Sequence, residues 1–212
     1  MAEAGRLRLV AGRRSHAERT AETRAKILAA VVDSIAEVGF QRTTAVEITR
    51  RAGVTWGAVQ HHFGDKDGIL LAVLEDSFER FAARLADVPV EETPIERRVE
   101  LFVDRAWEHF ASREYASTFE ILLDHLRRGG PPARGGAGWQ AEMSRAWNRE
   151  WRRFFGDAKI GGRRHGLLQH YTISVLAGLA STLLLEGRGA RIRDAELALL
   201  RETLVRELAA PS

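Results

Sequence analysis

The chain has 212 residues, 45% of them hydrophobic, and a formal net charge of +3 at pH 7. That length and apolar content suit one large or two small globular domains. The absence of cysteine excludes disulfides, a thiolate metal site and a cysteine nucleophile, and it fits a reducing cytoplasm.

No apolar run approaches the roughly 20 residues that span a bilayer. Arginines interrupt Leu7, Leu9 and Val10, so the N-terminus lacks a signal-peptide core. Charge is unevenly spread. Residues 1–66 hold eleven Lys or Arg against seven Asp or Glu, while residues 67–212 hold twenty-one against twenty-two. The positive excess therefore sits in the N-terminal third, as a phosphate-binding surface requires.

Residues 1–19 show no sustained apolar period and read as a flexible basic arm. Its Arg6, Arg8, Arg13 and Arg14 either follow a nucleic-acid backbone or form a solubilising tail. A first helix is expected from about Thr20, with Ile27, Val31, Ile35 and Val38 on one stripe. Gly39 ends it and Phe40 packs under the turn.

Residues 44–66 read as two short helices joined at Gly53-Val54, a helix-turn-helix. Thr44 and Glu47 have capping-box spacing. Ile48 and Ala52 face inward, and Gly53 can take the left-handed backbone that ends a helix. Thr55 caps the second helix, whose Val59 and Phe63 point to the core. Trp56, Gly57, Gln60 and His61 are left on the other side. Asp65 caps the next helix, with Lys66 in its first turn, where lysine opposes the helix dipole unless it meets a phosphate. A motif of this size projects its second helix into the major groove of DNA. The plainer alternative is a three-helix packing unit that never touches DNA.

The fourth helix carries Leu70, Leu74, Phe78, Phe81 and Leu85, and is long enough to reach a second domain. Residues 87–94 break the pattern. Thr93-Pro94-Ile95-Glu96 has capping-box spacing with proline at the first helical position. The following helix holds Val99, Phe102, Val103, Ala106, Trp107 and Phe110. Further helices are expected over about 114–128, 139–155, 163–186 and 193–210, with a Gly/Pro-rich loop over 129–138. No strand-like alternation of useful length appears, so the fold class is all-α: an N-terminal three-helix DNA-binding domain (20–66), a connecting helix and loop (67–93), and a C-terminal helical domain (94–212).

Histidine spacing does not suit a metal. His61 and His62 are adjacent and point about 100° apart on a helix, and His165 and His170 miss the four-residue spacing of a helical zinc pair. No P-loop, Gly-x-Ser-x-Gly elbow or dinucleotide fingerprint occurs. Neither a catalytic residue, a cofactor nor a metal is expected, and the chain does not read as an enzyme.

The stretch from Ala52 to Leu70 resembles the recognition-helix signature of the TetR family of bacterial transcriptional regulators. Gly53, Val54, Gly57, His62, Phe63 and Lys66 match its residue types and spacings, as do Gly39-Phe40, Thr43-Thr44 and Ile48. The resemblance covers residues 20–75. The chain departs from the pattern at Gln60, where tyrosine is usual, and at Val46, where a polar or basic residue is frequent. The resemblance implies a cytoplasmic, bacterial, nucleoid-associated regulator that binds a near-palindromic operator in double-stranded DNA. It implies a repressor released by a small hydrophobic or amphipathic effector, with no membrane partner. The DNA-binding set would be Thr44, Val46, Thr55, Trp56, Gly57, Ala58, Gln60, His61, His62 and Lys66. A homodimer through residues 163–210 is also implied, with the Leu168–Leu183 and Leu197–Leu208 stripes at the interface; their alternative role is intramolecular core. Effector contacts would come from Trp107, Phe110, Phe119, Trp147 and Trp151, with His125 and His170 as polar candidates. The competing class is a helical protein-interaction dimer without effector-controlled DNA binding.

Overall fold

A computed structural model of the protein describes residues 15–127, 138–186 and 192–209. Among the described residues, regular structure is entirely helical: α1 (His16–Val38), α2 (Ala45–Ala52), α3 (Trp56–Phe63), α4 (Lys66–Leu85), α5 (Ile95–Phe110), α6 (Arg113–Arg127), α7 (Gly138–Phe155), α8 (Gly162–Glu186) and α9 (Ile192–Leu208). The arm arginines Arg6, Arg8, Arg13 and Arg14 and the loop expected over 129–138, apart from Gly138, lie outside the described residues, as do the side chains of Lys66 and His125.

Helix α1 starts before the expected Thr20, inside the segment assigned to the arm. Ser15 accepts the Glu18 amide at 3.1 Å, and the Glu18 carboxylate accepts the Ser15 amide at 2.7 Å. This reciprocal cap satisfies two orphan donors. The polar first turns carry no apolar period, so the start of α1 is set by capping rather than by burial. The box expected at Thr93 and Glu96 does not form. The Thr93 hydroxyl donates instead to the Pro89 carbonyl at 2.6 Å, and Pro94 precedes the helix with no side-chain cap.

Two apolar cores result. The N-terminal core gathers Ile27, Val31 and Ile35 of α1 with Ile48, Val59, Ile69 and Val73. The C-terminal core is dominated by rings: Phe81, Phe102, Trp151, Phe154 and Phe155 are all under 2% exposed. Burying each such side chain contributes about 1.5–3 kcal/mol. Phe102 meets Phe154 edge-on at 5.1 Å between ring centroids, the preferred geometry for aromatic pairs. Arg98, almost fully buried, grips both Asp157 oxygens at 2.7 and 2.8 Å and the Phe154 carbonyl at 2.7 Å, pinning α5 to the end of α7. That guanidinium holds the Asp157 carboxyl below its ordinary range.

Helix α6 belongs to both cores. Its Ile121 is fully buried in the N-terminal core, although the sequence placed it in the C-terminal domain. Around it, Glu120 accepts the Phe40 amide at 3.0 Å, Asp124 accepts the Gln41 side-chain amide at 2.6 Å, and the Ser117 hydroxyl donates to the Val32 carbonyl at 3.3 Å.

The last two helices correct the sequence reading. Leu168, Leu179, Leu197, Leu200, Leu204 and Leu208 are buried in the chain's own C-terminal core. Tyr171 of the same stripe is exposed instead, and exposed residues of α8 also include Leu167, Ser174, Gly178, Thr182, Leu184 and Leu185. Both faces of α8 are apolar or small, so periodicity alone did not separate them. Helix α8 is also long and apolar enough over Gly162–Leu185 to cross a membrane by length and composition alone. The polar Gln169, His170 and Thr172 interrupt its apolar residues, so no unbroken apolar run of that length stands in the sequence.

Candidate nucleic-acid interface and effector cavity

The turn between α2 and α3 follows from its residues. Gly53 adopts φ 66°, ψ 35°, a left-handed conformation that favours glycine, and the Val54 amide returns to the Thr49 carbonyl at 3.2 Å. Thr55 accepts the Ala58 amide at 3.2 Å and starts α3; Asp65 accepts the Gly68 amide at 2.9 Å and starts α4. A Cβ on Gly68 would stand 2.0 Å from the Phe63 carbonyl oxygen. The first turn of α4 therefore abuts the last turn of α3 in a way only glycine permits.

Thr44 accepts the Glu47 amide at 3.3 Å, but Glu47 does not return the bond. Its carboxylate lies between Arg50 and Arg51, which pull its pKa down to about 2. Arg51 also reaches Glu37 at 2.7 Å, tying α2 to α1.

On α3 only Val59 is fully buried. Gly57, Gln60 and His61 are exposed; Trp56, Ala58 and His62 are half-buried, and Trp56 packs against the N-terminal core. Thr44 and Thr55 are exposed, and Val46 is 76% exposed. A Cβ on Gly57 would meet nothing closer than the Thr55 hydroxyl at 3.8 Å. Burial, the neighbouring His61 and Arg24 push the His62 pKa below its ordinary value. Arg24 stands 4.9 Å above the Phe63 ring, and Arg50 is exposed on α2. Sequence reading singled out neither arginine. Arg24 lies on α1, distant in sequence from the motif, and no spacing rule links it to α3.

The second site is a cavity of about 550 Å³ among α4, α5, α6, α7 and α8. Phe78, Phe110, Tyr115 and Trp147 supply its rings, and Ser77, His109, Thr118, Asn148, Gln169 and His170 its polar atoms. Of the five aromatic residues expected there, Phe110 and Trp147 stand on the wall. The other three do not. Trp107 lies with the Arg193 guanidinium 5.6 Å from its ring centroid, Phe119 stacks on Tyr115 at 6.3 Å, and Trp151 is fully buried with its indole donating to His165 at 3.4 Å. Phe78, Tyr115 and His109 were missed; Phe78 shares a stripe with core residues, and nothing in that spacing marks it as a wall. Burial, with a smaller effect of Arg84, pushes the His109 pKa down to about 4, and burial pushes Tyr115 up to about 12. Both groups are neutral at pH 7. Among the described residues no cluster of three His, Asp or Glu is placed to hold a metal ion.

Residues 27–73 match the family model for bacterial regulatory proteins of the tetR family. The chain is 38% identical over 82 residues to an uncharacterized HTH-type transcriptional regulator of Mycobacterium tuberculosis, covering 37% of this chain and 42% of that protein. It is 32% identical over 115 residues to the HTH-type transcriptional regulator CymR of Pseudomonas putida, covering 52% of this chain and 55% of CymR. The chain thus spans about half the length of the curated relatives it matches. Among solved structures, the multidrug binding protein EbrR complexed with imidazole superposes with a TM-score of 0.63 at 20% identity, covering 96% of this chain and 100% of that one. The transcriptional regulator FadR of Bacillus subtilis in complex with stearoyl-CoA superposes with a TM-score of 0.65 at 16% identity, covering 88% and 97%. These two likenesses establish a shared fold. With the helix-turn-helix geometry and the family match falling on the same residues, the chain carries over residues 27–73 the domain of the tetR family of bacterial regulatory proteins.

Proposed function

We propose that this chain is a non-enzymatic, cytoplasmic transcriptional repressor that binds operator DNA as a homodimer and is released by a small apolar or amphipathic effector. The observation that carries this reading is α3, a helix capped at both ends whose Gly57, Gln60 and His61 serve no packing role. Such a face fits the major groove. Trp56, Gly57 and Gln60 meet bases, with Val46 and Ala58 beside them; Thr44, Thr55, His61, His62 and Lys66 approach the phosphates. Gln60 has the donor and acceptor pair that reads adenine. Arg24 adds positive charge beside Phe63 at the end of α3, while Arg50 is paired with Glu47.

The dimer forms through the exposed face of α8, where Ser174, Gly178 and Thr182 allow close helix approach between Leu167, Tyr171 and Leu185, together with exposed Leu199 of α9. A two-fold axis there sets two copies of α3 about one DNA turn apart and makes the operator near-palindromic. The cavity takes the effector.

Capture of genomic fragments on the purified protein, followed by salt titration of an enriched fragment, tests the reading. A near-palindromic sequence is expected. Lys66→Ala should lower the slope of log affinity against log salt by about one unit, and Gln60→Ala should change the preferred sequence. No enrichment over random DNA would sink the proposal.

A further inference from the structure

The cavity wall has a composition that selects on ligand charge. Among the described residues none of its side chains is Asp, Glu, Lys or Arg. Four of its rings are mutually packed: Phe110 meets Tyr115 at 4.6 Å and Trp147 at 5.9 Å between centroids, and Trp147 meets Phe78 at 6.5 Å. Set into this surface is His109, only 7% exposed. Its ring touches Tyr115 at 5.7 Å, and neither its ring nitrogens nor the Tyr115 hydroxyl has a hydrogen-bond partner among the described residues. A polar group that faces a cavity without a protein partner is free to bond a ligand atom placed there.

We propose that the effector is an uncharged, ring-bearing molecule whose hydroxyl or carbonyl group bonds to His109 and Tyr115. The assignment rests on the effector-binding reading of this cavity and narrows it. The aromatic faces would attract a cation, but an ion entering the cavity loses its water and finds no counter-charge on the wall, a larger loss than a ring face returns. An anion finds no Lys or Arg among the described wall residues. His109 does not supply the missing charge, because burial and Arg84 keep it neutral. The adjoining recess of about 300 Å³ shares Leu74, Phe78 and Met143 with the cavity. It carries Glu75, Glu79, Arg145 and Arg149, two charges of each sign, and so favours neither kind of ion. A neutral ring system keeps the stacking and loses no hydration of charge, and its polar group meets the two open partners.

Four probes of one shape test this: biphenyl, para-phenylphenol, para-phenylbenzoate and the para-phenyl trimethylanilinium ion. Each is titrated into the full-length protein at neutral pH, with tryptophan emission as the signal and Trp147 on the wall as reporter. Para-phenylphenol should bind about tenfold more tightly than biphenyl, and at least about tenfold more tightly than either ion. Tyr115→Phe and His109→Phe should each narrow the ratio between the phenol and biphenyl. An ion binding as tightly as the phenol overturns the proposal, as does failure of every probe to bind. An operator titration with and without the phenol separates the two readings. Tight phenol binding with unchanged operator affinity leaves the ligand class standing and removes effector release. Release by an ion alone does the reverse.

Discussion

The Glu120 carboxylate accepts the backbone amide of Phe40 at 3.0 Å, joining residues eighty positions apart. Phe40 begins the short turn that leads into the helix-turn-helix, and Glu120 lies on α6 two residues from the cavity residues Thr118 and Leu122, on the opposite face of the helix. With Asp124 holding Gln41 beside it, one helix has the cavity on one side and the DNA-binding domain on the other. Glu120→Ala removes the acceptor from a part-buried amide and should cost about 1 kcal/mol of stability in urea unfolding. It should also weaken effector-dependent release of operator, since coupling requires contacts that differ between the two states. Full release by the variant would assign the signal to α4 alone.

Gly57→Ala separates stability from DNA binding. The added methyl makes only an ordinary contact with the Thr55 hydroxyl at 3.8 Å, and alanine favours a helix over glycine by up to about 1 kcal/mol. The variant should melt slightly higher than wild type while binding operator at least about tenfold more weakly, because the methyl stands where the backbone approaches DNA. Undiminished affinity in a stabilised variant would remove Gly57 from the interface.

Gly178→Glu probes the dimer. No atom lies within 4 Å of a Cβ at Gly178, so the monomer can accommodate the change. A carboxylate buried between two α8 helices lacks a partner and should dissociate them. Sedimentation should give a folded monomer by helical circular dichroism, against a wild-type dimer. A dimeric variant places the interface elsewhere.

His109 should make the protein acid-sensitive. Its folded pKa is held near 4 against an ordinary 6.5. Between those values the unfolded chain binds the proton and the folded chain does not. Stability is therefore intact above pH 6.5, falls as pH drops towards 4, and levels off below that, with a loss of up to roughly 3 kcal/mol. Urea unfolding across this range should show the slope in wild type and a shallower one in His109→Phe. Equal slopes would mean that other groups govern acid unfolding.

Much of the helix-turn-helix was legible in the residues. The caps at Thr55 and Asp65 and the left-handed Gly53 depend on local chemistry, which spacing reports directly. The cavity and the α8 surface were harder to read. Leu168 and Leu167 are neighbours of equal hydropathy, yet one is 4% and the other 54% exposed. Only the placement of α5 and α9 decides which face is covered. Trp151 and Trp147 share one stripe of α7, but a wall residue differs from a core residue by the absence of an opposing side chain, which no periodicity encodes. Ile121 crossing into the N-terminal core is likewise a tertiary fact, fixed by where α6 lies against α1.

If the proposed effector release operates, the glycine at position 68 bears on how a shape change in the cavity would travel. Because Gly68 lets α4 abut the Phe63 carbonyl, and Asp65 caps the same junction, α3 and the start of α4 are packed so that a displacement of one should carry the other. Twelve residues separate Phe78, on the cavity wall, from Lys66 at the start of α4, a lever arm of about 18 Å at 1.5 Å per residue. A tilt of about 5° pivoting at Phe78 carries the recognition helix by roughly 1.5 Å. In a two-fold dimer the twin lever swings the opposite way, so the gap between the two grasping helices changes by up to twice that amount, enough to spoil hydrogen-bond distances to bases one helical turn apart.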